Sequence, residues 1–169
     1  SSANQECVYC HGEYDPEAAP HTRWTASMMA QAARDPIFYA CLTVANQDAA
    51  FVGEMCLRCH SPMGWLNGRS ETADGRSLEG IDFEGVSCSV CHRMVDPVYA
   101  EGQSPPEDLE ILQALTLEEG NGVPANPHNA NYVMDPYDRR RGPFDAPAAL
   151  HAWLQSPFHE SSRLCATCH

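Results

Sequence analysis

Apolar positions along this chain fall in short, interrupted sets. Residues 22–34 carry Trp24, Met28 and Ala32 about one helical turn apart and stop before Pro36, which predicts a helix with Met28 packed on its Trp24 stripe. Asp35-Pro36 then reads as a cap followed by a first-turn proline, opening a second helix to about Asn46. A short helix is predicted over 55–60. Ser104-Pro105-Pro106-Glu107 opens another that runs toward Leu117, with Leu109, Leu112 and Leu115 three apart. The last helices are predicted over 147–154 and 160–167. Between 120 and 145 the chain is rich in Pro, Asn and Gly without periodicity and reads as an ordered loop. No alternating run reads as a strand. The pattern predicts a mainly α chain with a large irregular fraction, forming one compact domain over 1–169.

The strongest chemical signal is a pentapeptide that occurs four times: Cys7-Val8-Tyr9-Cys10-His11, Cys56-Leu57-Arg58-Cys59-His60, Cys88-Ser89-Val90-Cys91-His92 and Cys165-Ala166-Thr167-Cys168-His169. In Cys-x-x-Cys-His the two thiols can form thioethers with haem vinyl groups, and the adjacent imidazole then reaches the iron. The spacing fits one helical turn, with both sulfurs and the ring on one side of the backbone. A single pair of close cysteines also suits zinc or a redox disulfide. Four copies, which use eight of the nine cysteines, point to four haem c groups. The cofactor-binding residues are therefore Cys7, Cys10, Cys56, Cys59, Cys88, Cys91, Cys165 and Cys168, with His11, His60, His92 and His169 as proximal iron ligands. The motifs begin at 7, 56, 88 and 165, an irregular spacing that argues for one integrated haem cluster rather than a tandem repeat. With 169 residues for four porphyrins, the cofactors themselves are expected to supply much of the buried apolar surface.

Histidine arithmetic suggests the sixth ligands. Of eight histidines, four remain after the motifs: His21, His128, His151 and His159, one for each iron. Bis-histidine ligation would make each iron six-coordinate and closed to substrate. An isolated spare histidine would more ordinarily serve as a surface or hydrogen-bonding group; the match in number favours ligation. Met29, offset from the Trp24 stripe, is the alternative to His21. Met63, Met94 and Met134 have no supporting context.

Charge changes the picture of partners. The net charge is −13, and all ten basic side chains are arginine. A phosphate backbone needs a basic face, so nucleic acid is excluded as a partner. Redox partner proteins with basic surfaces are expected, although acidity also simply keeps a secreted protein soluble. No segment is long and apolar enough to span a membrane, and the polar start Ser1-Ser2-Ala3-Asn4-Gln5 is no signal peptide. Haem c attachment takes place outside the cytoplasmic membrane, which implies a processed periplasmic or extracellular chain. Cys41, in the run Phe38-Tyr39-Ala40-Cys41-Leu42, is expected to be a buried free thiol. Arg139-Arg140-Arg141 reads equally as a solvated turn or as a partner for haem propionates. Tyr9, Trp24, Trp65 and Trp153 are candidates for stacking on porphyrins, with plain burial as the alternative.

The run from Pro20-His21 through Trp24 to Ser27-Met28-Met29-Ala30, after the first motif, resembles the tetrahaem cytochrome family associated with nitrification. In that pattern the position of Met29 is commonly a histidine ligand, so the resemblance implies that Met29 or His21 takes the role. The segment His151-Ala152-Trp153-Leu154-Gln155-Ser156-Pro157-Phe158-His159, leading into Cys165, is similar to one in larger periplasmic and extracellular multihaem cytochromes. The resemblance covers the haem motifs and their flanks, about half of the chain, and implies a compact multihaem cytochrome fold organised around closely packed haems. Nitrite-reducing relatives use a lysine-ligated haem, and this chain has no lysine. The expected role is electron transfer rather than catalysis, and no residue is assigned a catalytic part. The alternatives are a filament subunit and a small redox enzyme with one open haem acting on nitrogen or sulfur oxyanions. Motifs at both ends suggest either a piece of a longer cytochrome or subunits stacking head to tail.

Overall fold

A computed structural model of the chain describes residues 3–117, 122–124, 128–146 and 148–168. Helix is the dominant regular structure and a large fraction is irregular, as the apolar pattern predicts. The chain divides into two compact units, Ser1–Val90 and Cys91–His169, where the sequence reading had one domain over 1–169.

The first unit holds α1 (Ala3–His11), α2 (Pro20–Thr25), α3 (Met28–Gln31), α4 (Pro36–Asp48), α5 (Gly53–His60), α6 (Pro62–Leu66), a 3-10 turn (Gly80–Glu84) and the start of α7 (Cys88–Arg93). The single helix expected over 22–34 is two. Ser27 is extended and its Oγ accepts from the Ala30 N–H at 3.3 Å, so it caps a new helix rather than continuing the old one. This turns Met28 outward. At 78% exposed, it does not pack as expected, and Met29 is 53% exposed.

α4 forms where predicted, because the Asp35 carboxylate accepts from the Ile37 N–H (2.9 Å) and Pro36 takes the first turn. Phe38 and Leu42, one turn apart, bury against Leu57 and Leu78, with Tyr39, Cys56 and Phe83 around them. Cys41 lies on the outer arc with Ile37 and Val44 and is exposed, contrary to the expected buried thiol. Asn46 ties the end of α4 to its surroundings: its Nδ2 donates to the Ala73 carbonyl (2.8 Å) and its Oδ1 accepts from the Gly53 N–H (3.0 Å). A Cβ at position 53 would collide with that same Ala73 oxygen, so the approach requires glycine. Beyond α6, fully buried Asp82 accepts from Arg69 Nε (2.5 Å), Arg69 Nη2 (2.7 Å) and the Glu79 N–H (3.0 Å), which closes the loop over 67–79. Gly85, with φ of +62°, lets the chain pass close beneath α3, where the Val86 N–H meets the Met29 carbonyl at 3.0 Å.

The second unit begins inside α7 and contains β1 (Met94–Val95), α8 (Pro106–Leu117), β2 (Val133–Met134), β3 (Arg140–Gly142), β4 (Trp153–Gln155), a 3-10 turn (Pro157–Glu160) and α9 (Ser162–Ala166). Four short strands thus correct the expectation of none. β1 and β2 are antiparallel, with Met94 opposite Met134 and Val95 opposite Val133; β3 and β4 are parallel, with Arg141 opposite Leu154. The helix expected over 147–154 is not formed, because 153–155 pair with β3 instead; residue 147 lies outside the described residues. Val95, Ile111, Leu112 and Val133 make the core, with Tyr99, Leu115 and Val123 partly buried around it.

Candidate functional site

The first three Cys-x-x-Cys-His peptides are built on helix, as their spacing predicts, and the fourth begins on one. Cys7, Cys10 and His11 close α1; Cys56, Cys59 and His60 close α5; Cys88, Cys91 and His92 lie in α7; Cys165 is in α9 and Cys168 just past its cap. No disulfide joins any of the nine cysteines. His169 lies outside the described residues.

Two of the motif histidines are held in a specific orientation. His60 places Nδ1 3.1 Å from the Ala32 carbonyl, and its ring lies flat on Phe38 (centroids 3.9 Å apart, 4° between planes). His92 places Nδ1 2.6 Å from the Arg141 carbonyl. A carbonyl can only accept, so each ring donates to it from Nδ1. This outer contact is what a metal-ligating histidine needs to fix both tautomer and ring plane. Neither carbonyl partner was legible in the sequence, since a backbone acceptor 28 or 49 positions away leaves no trace in side-chain identity.

The Arg141 that holds His92 is itself fully buried in an ion cluster. Its Nε and Nη2 reach Asp108 Oδ1 (3.0 and 2.6 Å), and Nη2 reaches Asp135 Oδ2 (2.7 Å); Arg139 clasps Asp135 with Nε at 2.8 Å and Nη2 at 3.1 Å. Arg139-Arg140-Arg141 is therefore not a solvated turn: two of the three serve buried carboxylates, and Arg140 pairs with Asp138 at 2.5 Å. Burial pushes the Asp135 carboxyl up, but Arg139, the Tyr137 N–H and Arg141 outweigh it and hold it below the ordinary range. At Asp108 burial wins over Arg141, and the carboxyl is raised.

Of the spare histidines, His159 is brought to a motif. Its ring lies 6.0 Å from that of His92 at 12°, with Nε2 3.1 Å from the Cys91 carbonyl and a buried Nδ1 that has no partner. Burial is the main cause holding it neutral, with a pKa down to about 4; the Cys91 carbonyl opposes this, while His92 and Arg141 add to it. His128 is exposed and takes a 3.1 Å contact from Asn129 on Nδ1, but its loop docks on the fourth motif through the Ala130 N–H and the Thr167 carbonyl (2.8 Å). His151 is exposed beside Trp153, at 6.1 Å between rings. His21 is half-buried on α2 against Trp24, at 5.6 Å. The fourth motif reaches the segment just after the third, with Thr167 Oγ1 3.7 Å from Met94 Sδ, and burial, then the Cys165 and Cys168 thiols, pushes the Cys91 thiol up to about 11.

The aromatic candidates divide. Tyr9, between the first pair of cysteines, is 92% exposed. Trp24 is fixed by its Nε1 on the Val86 carbonyl (2.8 Å), and Trp65 donates to Glu54 with Arg58 over its ring. Trp153 lies across Gly142, where a Cβ would strike the indole, and it approaches His92 at 6.4 Å between rings.

Among the described residues no group of three or more His, Cys, Asp and Glu side chains converges as a metal-ion site. Haem iron asks for less, since the porphyrin supplies four donors and the protein only the axial ones. Two thiols and a tautomer-fixed imidazole per peptide fit that demand at the second and third motifs. No helix among the described residues is long and apolar enough to cross a membrane. Comparison with known proteins returns no matching family model, no similar curated protein and no similar solved structure.

Proposed function

We propose that this chain is a tetrahaem c-type cytochrome that carries electrons outside the cytoplasmic membrane, as its resemblance to the multihaem cytochromes implies. The observation that carries the reading is the orientation of His60 and His92, each with Nδ1 on a backbone carbonyl, the outer contact that positions an iron-ligating imidazole. Bound haem would supply the one-electron chemistry. The chain supplies thiols for tethering, imidazoles for ligation, and spacing.

The contact of Thr167 with Met94 supports close packing of the last two haems, which favours electron hopping between them. His159 is the best-placed sixth ligand for the third haem; Nδ1 is the ring atom without a partner, so ligation through it would keep the Cys91 contact. Exposed apolar side chains beside the motifs, Tyr9 at 92% and Met55 at 56%, are suited to covering by porphyrin. Redox proteins with basic surfaces are the proposed partners.

Expression in a host competent for cytochrome c maturation, followed by intact mass and haemochrome titration, tests the reading. The expected result is four haems per chain, with low-spin ferric signals in electron paramagnetic resonance. A chain recovered at its bare polypeptide mass would overturn it; a high-spin signal near one haem equivalent would instead mark an open iron.

A further inference from the structure

We propose that Asp108 is a proton-binding site coupled to reduction of the haem held by His92, an inference that rests on the haem reading above. The geometry singles out one oxygen. Asp108 is fully buried, and both of its bonds from Arg141 fall on Oδ1, while Oδ2 is buried with no partner. An unpartnered carboxylate oxygen in a dry site is costly, and a proton there relieves the cost.

The surroundings are poised for that exchange. The charged groups facing Asp108 are Arg141 and Arg139 from β3 and its approach, Asp135 from the segment after β2, and Glu107 from its own helix. Asp135 is held ionised by both arginines, so Asp108 is the member of the cluster that can change charge. The connection to the iron ligand is short: Arg141 bonds Asp108 with its side chain and receives His92 Nδ1–H on its own carbonyl. Asp108 touches neither His92 nor any cysteine of the motif by a described hydrogen bond or ion pair.

The step balances as one electron and one proton. With haem bound, reduction would take one electron from a one-electron donor, a neighbouring haem or partner protein, and turn ferric iron ferrous. Hydronium gives its proton to Asp108 Oδ2, an O–H bond forms, and water leaves. Lowering the positive charge at the iron favours the protonated carboxyl, so reduction draws the proton in and oxidation releases it.

Spectroelectrochemical titration of the four-haem protein between pH 4 and 9 tests this. One haem should show a midpoint potential that falls as pH rises. In Asp108→Asn, permanently neutral, that potential should stay near its acid-limit value at every pH, with haem count and the other potentials unchanged. Reduced-minus-oxidised infrared difference spectra of wild type should show a carboxylic acid band gained on reduction, which keeps the test open if the variant folds poorly. A pH-dependent potential that survives in Asp108→Asn, or no carboxylic acid band on reduction in wild type, would overturn the proposal. A preparation lacking haem would overturn the underlying reading instead.

Discussion

Removing the charge of Asp82 should cost the first unit about 3 kcal/mol. The carboxylate is fully buried and takes two bonds from Arg69 and one from the Glu79 N–H. Breaking a buried ion pair costs about 3–5 kcal/mol when one partner is left charged. Arg69 retains 28% side-chain exposure and can turn its guanidinium into water, which places the loss at the low end. Asparagine keeps one acceptor for the Glu79 N–H, so that bond adds little. About 3 kcal/mol is roughly a hundredfold in the unfolding equilibrium and about 6–12 °C in Tm for a chain of this length. Thermal melts followed by far-ultraviolet circular dichroism on Asp82→Asn, Arg69→Met and the double variant provide the assay. Arg69→Met should cost at least as much, because it strands the carboxylate. The double variant should be milder than the sum of the singles by about 2 kcal/mol. A Tm change under about 3 °C for Asp82→Asn, or strict additivity, would refute the argument that this pair closes the 67–79 loop.

Other expectations follow from single contacts. Gly53→Ala, normally a favourable change in a helix, should destabilise by about 2–3 kcal/mol because its Cβ meets the Ala73 carbonyl; a urea midpoint that rises would contradict this. Leu57→Ala, fully buried between the cysteines of the second motif, should cost about 2–5 kcal/mol in the same assay. The Asp135 carboxyl sits below its unfolded value, so its contribution is present above about pH 4 and is lost as pH falls through the lower folded value. Asp135→Asn should accordingly flatten the acid limb of a stability-against-pH curve, and an unchanged limb would show that the ion cluster is not its source.

Local chemistry explains which parts of this structure were legible in the sequence. α4 and α8 could be read because Asp35-Pro36 and Pro106 mark their starts and leucine or aromatic spacing marks their faces. The break at Ser27 was missed because a serine within a periodic run does not reveal whether its hydroxyl is capping. β1 to β4 are two or three residues long, too short for alternation to register, and β4 carries a helix-like Ala-Ala-Leu run ahead of it. Cys41 is exposed despite its apolar run because neighbours in sequence are not neighbours in space on a helix. Phe38, Tyr39 and Leu42 share the inward arc of α4, and Cys41 sits beyond its edge. The four Cys-x-x-Cys-His peptides were legible because their spacing is written directly in the sequence. Their supports were not, being main-chain carbonyls and acids drawn from distant segments.

The contact among Asn46, Gly53 and Ala73 has an evolutionary consequence. Asn46 must donate to one backbone group and accept from another, so aspartate fails for want of a donor and glutamine for its length. Gly53 cannot gain a side chain without displacing the carbonyl that Asn46 holds. The two positions therefore behave as one inherited character: descendants that keep this corner should keep both residues, and those that lose one should have rebuilt the entry to α5.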